Sequence, residues 1–435
     1  MPMSELVVDL LELEALGGGS DSTETIEDIA SIEPVPVAST PIFFNKKWHQ
    51  APIYQRSDLL PGQSITGPSV IVEKIGTIIV DPGWKATLNT HRHLILEFVD
   101  SAVDENQVDT SADPVMLEVF NNLFMSIAEQ MGVRLQKSAR STNIKERLDF
   151  SCAVFDSKGE LIANAPHTPV HLGSMDRSVA SVITAHPLMV TGDVFVTNAP
   201  YNGGTHLPDI TVVTPVFSKT STAPIFYVAS RGHHADVGGI APGSMTPLAT
   251  TIDQEGVVLD NLKLVSGGRF LEREISCRLN SGSYPCRNPG QNIADLKAQI
   301  AANEKGAQEL LSMVEQFGHV TVCAYMGHVQ DYAEECVRRA ISKLAQGHAE
   351  TVFDQGCKIS VKVSIDADSR SATLDFTGTS AQQADNFNAP EPVTRAAVLY
   401  TFRCMVDSDI PMNACLLYTS PSPRDATLSR MPSSA

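Results

Sequence analysis

Five short runs rich in β-branched residues are crowded into residues 149–230, and two long helical stretches follow them. This ordering restricts the fold more than any other feature of the chain. The runs are Asp149–Asp156, Glu160–Ala165, Asp193–Pro200, Ile210–Phe217 and Pro224–Ser230. Apolar or alternating runs of this length, bounded by turn-forming residues, predict strands. The helical stretches are Asn292–Phe317 and Val320–Leu344, and Ile293, Leu296 and Ile300 give the first an apolar stripe. Ahead of the strands, Asp113 and Pro114 form an N-cap and first-turn proline. Phe120, Phe124, Ile127 and Met131 then recur at helical spacing, predicting a helix docked on a core. A second strand pair is expected at Lys358–Asp366 and Ser371–Thr379, joined by the polar turn Ala367–Arg370. Strands and helices segregated in this way predict an α+β (mixed α/β) fold.

Upstream lies a different pattern. Residues 17–39 are rich in Gly, Ser, Asp, Glu and Pro and are expected to form a flexible loop. Ser69–Trp84 is dense in Val and Ile with a turn at Pro82-Gly83, and His93–Asp100 reads as the last strand of the region. Residues 101–112 are polar and are read as a linker. The expected organisation is a small β-rich unit over 1–100 and a larger sheet-and-helix domain over 113–415. Residues 416–435 lose all periodicity and become Ser-, Pro- and Arg-rich, and are expected to be a non-native tail from a truncated or read-through gene model, with a genuine disordered tail as the alternative.

The formal net charge of −18 and the absence of a basic stripe argue against nucleic-acid binding, which requires clustered Lys and Arg. No apolar run approaches the roughly 20 residues of a membrane-spanning helix. The acidic stretch Met1–Leu16 lacks the basic flank of a secretory signal. Eight scattered cysteines without a C-x-x-C pair read as reduced, mostly buried thiols, which places the chain in the cytosol.

The polar residues richest in chemistry flank one expected hairpin. His206 and Asp209 sit in the Gly-Pro loop before the strand Ile210–Phe217, and His233, His234 and Asp236 follow the strand Pro224–Ser230. If these strands pair as an antiparallel hairpin about Ser218–Ala223, a symmetric register puts Asp209 roughly opposite His233; the alternative is two unrelated loops whose histidines cap strands or face solvent. Imidazole nitrogen and carboxylate oxygen converging there suit Zn, Mn or Fe, with a position open for water or substrate. Gly203 and Gly204 are candidates for bringing bare amides close to a ligand. His167 and His171 occupy a proline-containing loop and are read as an acid–base pair, an additional ligand or loop histidines. Lys145 and Arg147 form either a solvated ion-pair run or a cradle for an anionic group. Neither G-x-S-x-G nor a Walker-type G-x-x-x-x-G-K-[ST] occurs.

The stretches DPVMLEVFNNLFMSIAEQMGVRLQKSARSTNIKERLDFSCAVFD, LIANAPHTPVHLGSM, GDVFVTNAPYNGGTHLPDITVVTPVF and VASRGHHADVGGIAPGSM, with DFTGTS and NFNAPEPVTRAAVLYTFRC, closely resemble the hydantoinase B/oxoprolinase family. Pro61–Leu88 resembles the C-terminal end of the hydantoinase-A-like part, and the A-then-B order is similar to the large fused 5-oxoprolinases. The resemblance implies ATP-dependent opening of the lactam of 5-oxo-L-proline to L-glutamate, in the glutathione cycle. It implies ATP and Mg bound by an A-like half encoded upstream in cis, a homo-oligomer, and a divalent metal in the B-like part. Carried over, the metal positions fall on His206, Asp209 and His233. Water would attack the activated carbonyl carbon there, with Asp236 orienting a ligand imidazole and His167 or His171 moving protons. Hydantoin opening, ketone carboxylation and a truncated product without turnover are the alternatives to be weighed.

Overall fold

A computed structural model of the chain describes residues 32–44, 47–99, 110–165, 167–219, 221–406, 410 and 413. They divide into two units, 32–99 and 110–413. The expected loop residues 17–31, linker residues 101–109 and tail 416–435 lie outside the described residues.

The first unit is built from two small sheets. Strands β1 (Ala38–Phe44), β2 (Lys47–Gln55), β4 (Ser69–Val72) and β5 (Thr77–Val80) pair in the order β1-β2-β4-β5. Strands β3 (Ser64–Thr66), β6 (Trp84–Leu88) and β7 (Leu94–Phe98) form the other. Ile65, Ile71, Val80, Ala86 and Leu88 fill the core between them. The apolar run Ser69–Trp84 is divided where Glu73 N–H donates to Gly76 O at 2.8 Å, and again at Pro82-Gly83, where Gly83 takes φ +84°. Flexibility expected through residue 39 is corrected at its described end, because Ala38 opens β1 and pairs with Ile53.

In the second unit, α1 (Pro114–Ser138) begins as its sequence predicts. The Asp113 carboxylate accepts from the amides of Val115 and Met116 at 3.0 and 2.9 Å. Phe120, Phe124, Ile127 and Met131 are all buried. The short helix α2 (Thr142–Lys145) leads to β8 (Phe150–Phe155) and β9 (Leu161–Asn164), then α3 (Pro169–Leu172) and α4 (Met175–Ala185). Next come β10 (Val194–Thr197), β11 (Asp209–Val216), β12 (Phe226–His233), α5 (Ile252–Glu255), β13 (Leu262–Ser266), β14 (Arg269–Phe270) and α6 (Glu272–Leu279). Gly318, at φ +81°, separates the long helices α7 (Pro289–Phe317) and α8 (His319–Ile341).

The strands of this region form one seven-stranded antiparallel sheet in the order β14-β13-β10-β11-β12-β8-β9. The period of two along a strand sorts its side chains. Cys152, Val154 and Val228 face a core shared with α1, α7 and α8, and Ile210 and Val212 join a core with α6 and α7. Ala153, Phe155, Val213, Tyr227 and Ala229 face Met175, Val179 and Val182 of α4. By the same parity Ser151, Asp209, Thr211, Arg231 and His233 belong to the α4 face, at one end of the three central strands. The fold is α+β.

A second sheet, β15 (Gly347–Val352), β16 (Lys358–Asp366) and β17 (Ser371–Asp375), precedes α9 (Glu391–Cys404), and β16 and β17 pair about the expected turn. Strand β15 escaped detection because it is exposed along its whole length and carries no apolar alternation. All seven described cysteines are free thiols. Only Cys152, Cys286 and Cys336 are buried, which corrects the expectation of mostly buried thiols, since Cys277, Cys323 and Cys404 lie exposed on helices. Among the described residues no helix is long and apolar enough to cross a membrane.

Candidate metal centre

The hairpin of β11 and β12 sets Asp209 directly opposite His233. Asp209 opens β11 and His233 closes β12, so the strands hold the two side chains on a common face. His206 reaches the same point from the preceding loop, three residues earlier. One oxygen of Asp209, Oδ1, lies 3.0 Å from His206 Nε2 and 3.1 Å from His233 Nδ1. The three candidate ligand atoms all lie within 4.8 Å of one another. Ligand atoms about 2.1 Å from a shared tetrahedral ion sit roughly 3.4 Å apart, so the donor set fits a borderline cation such as Zn²⁺ with little adjustment. Asp209 and His233 are buried, whereas the His206 side chain is 39% exposed and leaves the group open to solvent on one side.

The other oxygen of Asp209 is also committed. Oδ2 accepts from Thr205 Oγ1 at 2.6 Å and lies 3.2 Å from His171 Nε2. Burial pushes this carboxyl up, but hydrogen bonds from His171, His206 and His233 outweigh it and hold Asp209 well below the ordinary carboxylate range. Burial lowers His206, and its hydrogen bond and attraction to Asp209, helped by Asp149, reverse this and raise it. Asp209 is therefore an anion shared by three imidazoles.

Asp149 completes the group and was not singled out from the sequence. It precedes β8, its backbone carbonyl accepts from His233 N–H at 2.9 Å, and its carboxylate lies 3.8 Å from His233 Nδ1 and 3.9 Å from His171 Nε2. Leu148 beside it takes φ +57°, an uncommon backbone state for a branched residue. No local pattern marks Asp149, because its place depends on β8 pairing with β12.

Of the residues expected from sequence, His171 joins the group and His167 does not. His171 Nδ1 lies 3.2 Å from Ser151 Oγ, which fixes the ring that faces Asp209. His167 Nδ1 instead accepts from the Cys152 amide at 3.1 Å, and its ring packs against Phe150. Burial, with a smaller contribution from His171, pushes His167 down to about 4. His234 is fully buried between Gln299 and Asn292, and burial lowers its pKa too. Asp236 orients no ligand imidazole. Its carboxylate takes the amides of Gly238, Gly243 and Arg287 and an ion pair with the Arg287 guanidinium at 2.7 Å. Gly204 donates its amide to Ala199 O, and a Cβ on Gly203 would meet the Arg177–Ser178 backbone at 2.3 Å. Both glycines thus serve close backbone packing. Lys145, the last residue of α2, and Arg147, in the turn that follows it, are both exposed.

Residues 113–420 match the family described as hydantoinase B/oxoprolinase, and residues 25–99 match the hydantoinase/oxoprolinase C-terminal domain. The protein 5-oxoprolinase PfmaA of Pestalotiopsis fici is 44% identical over 390 residues, which is 86% of this chain and 30% of that protein. The 5-oxoprolinase of Saccharomyces cerevisiae is 39% identical over 438 residues, 94% of this chain and 34% of its own length. The chain thus spans about a third of the length of these relatives. The crystal structure of an ATP-dependent caprolactamase from Pseudomonas jessenii superposes with a TM-score of 0.61 at 24% identity, over 70% of this chain and 53% of that one. At that identity the likeness concerns the fold alone.

Proposed function

Because the chain belongs to the hydantoinase B/oxoprolinase family, we propose that it is the ring-opening part of an ATP-dependent 5-oxoprolinase, converting 5-oxo-L-proline to L-glutamate. The names of the relatives at 39–44% identity support this reading, as does the order of the two matched regions on one chain. The observation that carries it is the convergence of His206, Asp209 and His233 at one end of the β11–β12 hairpin.

His206, Asp209 and His233 would hold a divalent cation, Zn, Mn or Fe by donor type. When bound, such an ion lowers the pKa of water and polarises a carbonyl or phosphoryl oxygen. The chain's own residues do the rest. His171 keeps a proton on Nε2 against Asp209 Oδ2 and so fixes the orientation of that carboxylate. Asp149, partly exposed at the rim, is placed to accept a proton from an attacking water. Lys145 and Arg147, exposed shortly before Asp149 in the chain, would hold the substrate carboxylate in this reading. ATP and Mg²⁺ belong, in this reading, to a hydantoinase-A-like half in cis, which activates the lactam by phosphorylation. The enzyme would work as a homo-oligomer in the cytosol, within glutathione turnover.

The test is coupled turnover in a protein that joins this chain to its ATPase half. Wild type should form glutamate from 5-oxoproline and leave hydantoin untouched. His206→Ala or His233→Ala should abolish glutamate formation while partial ATP cleavage persists. Full coupling in either variant would remove these residues from the reaction.

A further inference from the structure

Arg231 lies on β12 two residues before His233, and its side chain is fully buried, among the largest in that state. Transferring a guanidinium from water to such a place costs several kcal/mol unless its donors are satisfied. They are satisfied, but by neutral oxygens: among the described residues no carboxylate pairs with it. Its Nε donates to Thr211 Oγ1 at 2.7 Å. Nη1 donates to Ser174 Oγ and, at 3.5 Å, to the carbonyl of His171. Nη2 donates to Ser178 Oγ at 2.8 Å and to the carbonyl of Gly203 at 3.2 Å.

Each acceptor belongs to a segment that bears a group of the candidate centre. Thr211 is two residues past Asp209 on β11, and Ser174 and Ser178 belong to the start of α4, directly after His171 on α3. Gly203 opens the loop that carries His206, and its φ of +92° is a conformation that favours glycine. Ser178 Oγ also donates to that carbonyl at 2.7 Å. We propose that Arg231 is the positioning residue of the metal centre, one rigid fork that locks the segments bearing His171, His206, Asp209 and His233 into a single arrangement. This rests on the metal-centre reading of His206, Asp209 and His233. Lysine cannot replace it, because an ammonium has three donors on a flexible stem where the guanidinium offers five in a fixed plane.

The test is Co²⁺ binding by the full chain, followed by the visible ligand-field bands and by titration, with folding checked by circular dichroism. Outer-shell partners of metal ligands typically change affinity by 10–100-fold, so Arg231→Lys should bind Co²⁺ about 10- to 100-fold more weakly, with altered bands, while remaining folded. Ser178→Ala and Thr211→Val each remove one acceptor and should weaken binding several-fold. A folded Arg231→Lys with wild-type affinity and spectrum would overturn the proposal. If that variant fails to fold, wild-type affinity in both Ser178→Ala and Thr211→Val would overturn it equally. Absence of Co²⁺ binding by the wild type would instead strike down the metal-centre reading, and this proposal with it.

Discussion

Asp209 is the residue on which the site turns. A carboxylate so buried survives as an anion only because Thr205 and three imidazoles surround it. His167, four residues before His171, shows the opposite use of the same side chain. Its Nδ1 must accept from the Cys152 amide, which only a neutral ring can do. The ring is held down at about 4, whereas an unfolded histidine titrates near 6.5. As pH falls the unfolded chain takes up this proton first. The contribution of His167 is therefore complete above about 6.5 and is lost between 6.5 and 4, by roughly 3 kcal/mol. His167→Asn keeps an acceptor near the position of Nδ1 and does not titrate. Urea unfolding at neutral pH and at the lower end of that window should show the wild type losing about 2–3 kcal/mol more than the variant. Equal losses would mean that His167 does not report its protonation to the fold.

At the scale of elements, the helix start at Asp113 and the cross-strand pair Asp209–His233 were legible because each depends on neighbours in sequence. Asp113→Ala should cost about 1 kcal/mol of stability by removing the cap of α1, measurable by denaturant unfolding, and an unchanged midpoint would refute the capping role. Asp149 and His171 were harder to place. β8 meets β12 only across the whole intervening stretch of chain, and α3 is set against the sheet by contacts that no local pattern encodes. Asp236 looked like a partner for a ligand imidazole because it follows two histidines, yet the glycine loop and Arg287 claim both its oxygens. Polar residue type and spacing identify candidates; backbone amides decide which of them stay free. Helix α3 also depends on α9, since a Cβ on Gly173 would lie 2.3 Å from Ala396 Cα. Backbone cannot yield there without moving α3. Gly173→Ala should lower the melting temperature by several degrees and weaken metal binding through His171, by roughly 1–3 kcal/mol in stability. A variant with both properties unchanged would show that α3 and α9 are not coupled.

At the scale of the whole molecule, one antiparallel sheet carries buried apolar side chains on both faces and reserves one end of three strands for charge. The central claim, that His206, Asp209 and His233 together hold one divalent cation, is tested most directly by the metal content of the full chain. The protein should be loaded with Zn²⁺, Mn²⁺ or Fe²⁺ and desalted before elemental analysis. Wild type should retain about one equivalent per chain, and Asp209→Asn, folded but without the shared anion, should retain close to none. A wild type that keeps no metal under any loading, or an Asp209→Asn that keeps as much, would contradict the account.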